Sequence, residues 1–358
     1  MAAYTTIDDP EAHFRIKLYT GNGTDDTGIV FDTTDTTMQP DLVWIKGRDS
    51  TNEHNIANSV SQATKYVHAN LDQGETTASN SLQSFDSNGF TLGTNANFNT
   101  NTNTYVAWCW KANNSSGASN TDGYIETLNA PNTTAGFSIT TYTGDGVVRT
   151  LGHGLGGVPE VMMIKRRDAT ADWAVYHHKN TAAPETDALV LNETDATADS
   201  AGYWNDVAPT STVLTIGDNT SMNGSAGTYI LLCWRSIQGF SKFGVYTGNN
   251  NNNGNFIYTG FRPAFVLSKD IDSGQSWHMH DHKRDTFNDD DNAHLIPNVN
   301  DSEANAKTNR GTMKTDLLSN GFKLNTDGSH TNGTGNHIYM AFAEAPFVNS
   351  KGVPCNAR

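Results

Sequence analysis

Three cysteines in 358 residues are too few for a disulfide framework. Cys109 and Cys233 sit inside apolar runs, where a thiol behaves as a small hydrophobe, and Cys355 stands in the last stretch. No base is placed beside either internal sulfur, which argues against a catalytic thiol. Long hydrophobic runs are missing too. Nothing approaches the about 20 apolar residues of a membrane span, and the opening MAAYTTIDDPEAHFR has no apolar signal core. The expectation is a chain made in a reducing cytosol, with no membrane insertion. Positive charge is scarce: 23 Lys and Arg against 38 Asp and Glu give a formal net charge of −15. Phosphate backbones are held through Lys and Arg, so nucleic acid is disfavoured as a partner.

Enzyme signatures are equally absent. The sequence has no G-x-S-x-G elbow, Walker loop, HExxH helix or CxxC pair. GHGLGG at 152–157 is followed by a proline and a strand pattern where a dinucleotide loop requires a helix, so it reads as a turn. No catalytic residue and no cofactor is expected. Helical periodicity is weak, with residues 53–70 and 301–318 read as holding one short helix each.

What the chain does have is repetition. YTG occurs at 19–21, 142–144 and 246–248, each time followed by a proline and, six positions later, a lysine: PDLVWIK (Pro40 to Lys46), PEVMMIK (Pro159 to Lys165) and PAFVLSK (Pro263 to Lys269). A second apolar run, YVAWCW, YILLCW or HIYMAF, starts 86, 87 and 91 residues after the YTG tyrosine, at Tyr105, Tyr229 and His337. Such units are too long for one solenoid repeat and large enough for a small domain. Gly, Asn, Ser and Thr clusters punctuate short runs rich in Val, Ile and aromatics, which is a β pattern. The reading is all-β, with three tandem homologous β-sandwich-like domains at 15–112, 137–236 and 243–347. An arm at 1–14, a linker at 113–136 and a tail at 348–358 complete it.

The signature strands are apolar almost continuously, without the alternation of a sheet with one face in water. A sandwich covers one face; the other needs a connection, a sister domain or another subunit. The last option predicts a homo-oligomer, with a trimer first, although three copies in one chain supply much of the same cover. Trp108 and Trp110 share a strand face, and Trp234 and Phe342 occupy the position of Trp110 in the other copies, as core anchors do.

One strand pattern carries candidate chemistry. WHMHDHKRD puts His278, His280 and His282 on one face, opposite Trp277. Three imidazoles there suit a transition metal. If Trp277 points inward, they instead form an exposed polar face. Asp289, Asp290 and Asp291 near His294, and the pair Asp25 and Asp26, lack the residue order of a calcium loop and read as solvated turns.

The pattern YTG, GHGLG, P-x5-K-x-R-D, NGF-x-L and YVA-C-W, with the ending AFAEAPF and the opening MAAYTTIDDPEAHF, resembles a repeated β-domain of marine bacteriophage virion proteins of the tail-fibre-like type. The first unit departs most: it has no GHGLG, and His54 stands where the others have Trp173 and Trp277. The resemblance implies a non-enzymatic virion protein made in the bacterial cytoplasm and released by lysis. Its partners would be other virion proteins and a host cell-surface receptor, for which Asn-rich loops with scattered aromatics suit glycan. A capsid decoration or vertex fibre, and a glycan-cleaving tailspike, are the alternatives; the tailspike depends on a carboxylate separation that sequence does not display. Tyr4, Ile7 and Phe14, isolated apolar residues in a polar arm, are the expected anchor to the particle.

Overall fold

Each pair of signature runs becomes a pair of neighbouring strands, and around each pair the same sheet is built. The computed structural model describes residues 4–32, 36–285, 288, 293–311 and 313–355. In the first sheet the order is Phe14–Thr20, Thr104–Trp110, Leu42–Gly47, Asn55–Asn58, Lys65–His68 and Thr76–Thr77. The second has Phe137–Thr143, Thr228–Trp234, Val161–Arg166, Ala174–His177, Asp187–Val190 and Ala198–Asp199. The third has Ser241–Thr247, Asn336–Pro346, Phe261–Asp270, His278–Asp281 and His294–Leu295. All of these pairings are antiparallel, and the registers match: Tyr19 faces Tyr105, Tyr142 faces Tyr229, and Tyr246 faces His337. The all-β class expected from composition is what the chain adopts.

Continuous hydrophobicity follows from two-sided burial. In the first unit Val43, Ile45, Ala107 and Cys109 point toward a smaller sheet of Thr27–Val30, Gly89–Leu92 and Leu82–Asp86. Leu42, Trp44, Trp108 and Trp110 point the other way, into a core shared with the other two units. The second unit divides likewise: Met162, Ile164, Leu231 and Cys233 face Arg149–Gly152 and Val213–Ile216, while Val161, Met163, Leu232 and Trp234 join the common core. In the third unit that core runs on through the sheet to Ile257, Leu317, Phe322 and Leu324. Trp110, Trp234 and Phe342 meet at the centre, with Trp110 ring centroids 6.2 Å from Trp234 and 5.6 Å from Phe342. The second cover is thus a sister unit, which removes the reason to require a homotrimer.

Three readings change. Residues 113–136, linker-like in composition, carry strands Ala118–Asn120 and Thr127–Asn132, which extend the second sheet beyond Phe137–Thr143. Residues 53–70 hold two buried strands and no helix, whereas 301–318 does contain a helix at Glu303–Arg310. The arm is also not free. Ile7 and Phe14 are 3% and 2% exposed within the common core, where Phe14 stacks 5.1 Å from Phe342. Neither side chain is therefore presented to another protein.

Candidate functional site

The YTG triplet is a clamp. Each tyrosine stacks on the residue opposite with ring centroids 5.0 Å apart in all three units. Its hydroxyl donates to the carbonyl of Phe98, Met222 or Thr331. The next residue is each time a fully buried asparagine, Asn99, Asn223 or Asn332, whose amide ties the YTG loop to neighbouring backbone. The glycine lies so close to the carbonyl after that asparagine that a Cβ would sit 2.2, 2.7 or 1.8 Å from it. Sequence reasoning missed these asparagines. Their signal is an Asn five or six residues before the second apolar run, in NTNTNTY, NGSAGTY and NGTGNH.

The lysine ending each P-x5-K run is buried and structural. Lys46 donates to the carbonyls of Gly47 and Ser50 at 2.7 and 2.9 Å. Lys165 reaches back to Asp72 of the first unit at 2.7 Å, and Lys269 to Thr194 of the second at 3.2 Å. Burial pushes all three ammonium groups down to about 8. Two residues on, the backbone carbonyls of Arg48, Arg167 and Ile271 accept from Glu303, Glu75 and Thr197, each in a different unit. The contacts therefore run in a ring, first to third, second to first and third to second. His54 fits this scheme: Trp173 and Trp277 donate to the His68 and Val190 carbonyls of the preceding unit, while His54 accepts from Trp44 and approaches the Ile296 carbonyl.

The histidine face is buried, contrary to the outward orientation expected for it. His278 and His280 are 0% and 3% exposed, because the second sheet face is covered as well. The His278 ring lies 5.3 Å from His294 and 5.2 Å from His330. His280 shares its Nε2 with the Met313 carbonyl at 2.9 Å. His282 lies in the turn beyond the strand, against the Ala264 carbonyl, apart from the cluster. Burial pushes His280 down to about 3 and His278 well below the usual range, with neighbouring imidazoles adding to the shift. Among the described residues no three His, Cys, Asp or Glu side chains converge as metal ligands. Asp289, Asp290 and Asp291 lie outside the described residues. Asp25 and Asp26 form an exposed turn, with Asp25 accepting from Gln83.

Two of the three thiols and His153 are equally enclosed. Burial raises the Cys109 and Cys233 thiols far above their ordinary value. His153 of GHGLGG, fully buried, accepts from the Leu155 amide and pairs with the Thr210 carbonyl, so this segment is a pinned turn.

A solvent-facing cleft of about 420 Å³ lies where the arm crosses the boundary of the second and third units. Tyr4 donates to the Gly260 carbonyl at 2.7 Å and Thr5 to the Gln238 carbonyl at 2.8 Å. Tyr4 is thus held inside this chain, though half exposed. Glu160, Lys242 and Tyr258 complete the walls.

Fold and surface together define an all-β protein of three sheet pairs packed around a common core, with Cys109, Cys233, His278 and His280 buried in it or beside it. The chain belongs to the family of a domain of unknown function, DUF7483, whose model matches residues 9–346 and so runs through all three pairs. No curated protein matches the sequence. Among the described residues no helix is long and apolar enough to cross a membrane.

Proposed function

We propose that this chain is a non-enzymatic bacteriophage virion protein, a tail fibre or tail-associated adhesin that holds the particle to a host-cell receptor. The resemblance of its repeat landmarks to tail-fibre-like proteins motivates the reading. The observation that carries it is the division between framework and surface. The landmarks shared by the three units, the clamp tyrosines, the asparagines, the lysines and the central aromatics, are occupied in holding the chain together, and all are buried except Tyr19, which is half-buried against the first unit's core. The exposed loops differ from unit to unit, as in the run Asn249 to Asn253, which has no counterpart elsewhere. A reaction needs several groups held in mutual geometry, whereas adhesion can be distributed over loops and strengthened by multiplicity.

Purified chain incubated with host cells and their extracted surface glycans is expected to be retained, with no oligosaccharide released. Release abolished by changing one Asp or Glu would make the protein a tailspike hydrolase. Absence of retention, with immunolabel on the head of the particle, would make it a capsid decoration.

A further inference from the structure

The arm cleft has the construction of a ligand site, and its chemistry selects the ligand. Two walls are fixed by glycines in the left-handed region, Gly239 at φ 80° and Gly260 at φ 86°. A Cβ at either would collide with the arm, 2.8 Å from the Thr5 Cβ and 2.9 Å from the Tyr4 hydroxyl. The arm is therefore seated on backbone that only glycine supplies without strain, and the cleft exists before any ligand arrives. Its volume of about 420 Å³ falls within the about 300–1,000 Å³ of small-molecule clefts.

The lining combines an aromatic platform with neutral donors and acceptors. Tyr258 is 49% exposed, and its hydroxyl lies 3.4 Å from that of Tyr4, so two phenols mark one side. Gln238 is exposed, and its amide can both donate and accept. The charged groups are already committed. Lys242 donates to the Tyr258 carbonyl at 2.7 Å and lies 5.3 Å from its ring centroid. The Glu160 carboxylate accepts from Ser236 at 2.6 Å and faces His178 at 3.3 Å. An anionic ligand would meet that carboxylate and a chain of net charge −15. A half-exposed aromatic ring beside an amide and hydroxyls instead matches a ring with one apolar face and a rim of hydroxyl groups.

We infer that this cleft binds an uncharged pyranose unit, stacked on Tyr258 and hydrogen-bonded by Gln238 and the Tyr4 hydroxyl. The inference deepens the adhesion reading and rests on it. In the two other units the YTG strand is not preceded by the Ser236–Phe240 segment (SIQGF), so the sequence does not repeat this lining there. The test is saturation-transfer NMR with the full chain against a panel of neutral methyl pyranosides and their disaccharides. The wild-type chain is expected to give transfer to at least one sugar. Tyr258→Ala and Gln238→Ala, both at exposed positions, are expected to weaken it at least tenfold with unchanged melting. Gly260→Ala, which displaces Tyr4, should weaken it as well. Undiminished transfer in Tyr258→Ala and Gln238→Ala would place any sugar site elsewhere and overturn the inference. No transfer from any sugar of the panel would also overturn it. Cell retention measured in parallel separates the two ideas: retention without sugar transfer removes the cleft and leaves adhesion standing, and loss of both removes both.

Discussion

The junction of the third unit with the first and that of the second with the third share a backbone contact and differ in charge. At the former, Glu303 donates its amide to the Arg48 carbonyl and accepts both arms of the Arg48 guanidinium, at 2.8 and 3.1 Å. Arg284, with its side chain fully buried, bridges Glu303 at 3.2 Å and Asp281 at 2.5 Å, and Asp281 accepts from the Trp108 indole at 3.0 Å. At the latter, Ile271 and Thr197 keep the backbone contact and have no charges to pair. The first and second units are intermediate, with one Arg167–Glu75 pair at 2.7 and 3.0 Å. The ring closes through backbone geometry, and the buried ion network adds a side-chain clasp at the junction whose units are farthest apart in sequence.

The strongest way to break this comparison is Arg284→Met. It leaves the Asp281 carboxylate buried without its counter-charge and should cost about 3–5 kcal/mol, read as a lower urea midpoint. Burial alone would raise the Asp281 carboxyl, and the Arg284 charge reverses that effect. Asp281→Leu combined with Arg284→Met should recover much of the loss; no recovery would mean that the clasp acts through Trp108 and Glu303 instead.

Acid should act next. His280 at the clasp and His177 at the opposite junction are buried, and burial holds both down to about 3. His278 is shifted the same way beside His294, His330 and Arg310. The unfolded chain binds these protons near pH 6.5 while the folded chain does not. The contribution to stability is therefore complete above about pH 6.5 and is lost as pH falls toward about 3, at about 1.4 kcal/mol per pH unit for each histidine. Melting temperature should drop between pH 7 and 5, and hydrogen exchange should show the His278–Asp281 strand among the first to open. A flat melting profile over that range would mean that these histidines take up protons equally in the folded and unfolded chain, so that burial does not hold them down.

Smaller effects belong to the other two junctions. Arg167→Ala should cost about 1 kcal/mol, as a partly exposed bidentate pair does, with the loss shrinking at high salt. Thr197→Ala keeps the amide contact and loses only the hydroxyl bond to Asn180 at 2.7 Å, for about 0.5 kcal/mol. Equal losses from Arg284→Met and Thr197→Ala would abolish the distinction between the junctions.

The repeat was legible in the sequence because YTG and P-x5-K sit where a close approach or a buried ammonium leaves little choice of residue. The clamp asparagines escaped because a buried Asn in an Asn-rich chain looks like its solvated neighbours. The Thr127–Asn132 strand was hidden for a different reason: its alternation is inverted. Thr127 and Asn129 are buried, bonded to the Gly152 carbonyl, while Leu128 is 45% exposed. The histidine face was misassigned because alternation gives faces and not cover; a sheet buried on both sides hides its polar face too. The cleft joins residues from three separate stretches of the chain, Tyr4, Glu160 and 236–260, and no local pattern connects them.

Closing three units into a ring within one polypeptide has a genetic consequence. In a homotrimer each codon change appears at three equivalent places, so a loop cannot be altered on one side only. Here every loop is encoded once, while the central contacts among Trp110, Trp234 and Phe342 constrain all three units jointly. Selection can therefore remodel one face of the molecule at a time, and the arm cleft is free to diverge without carrying two copies of each change elsewhere.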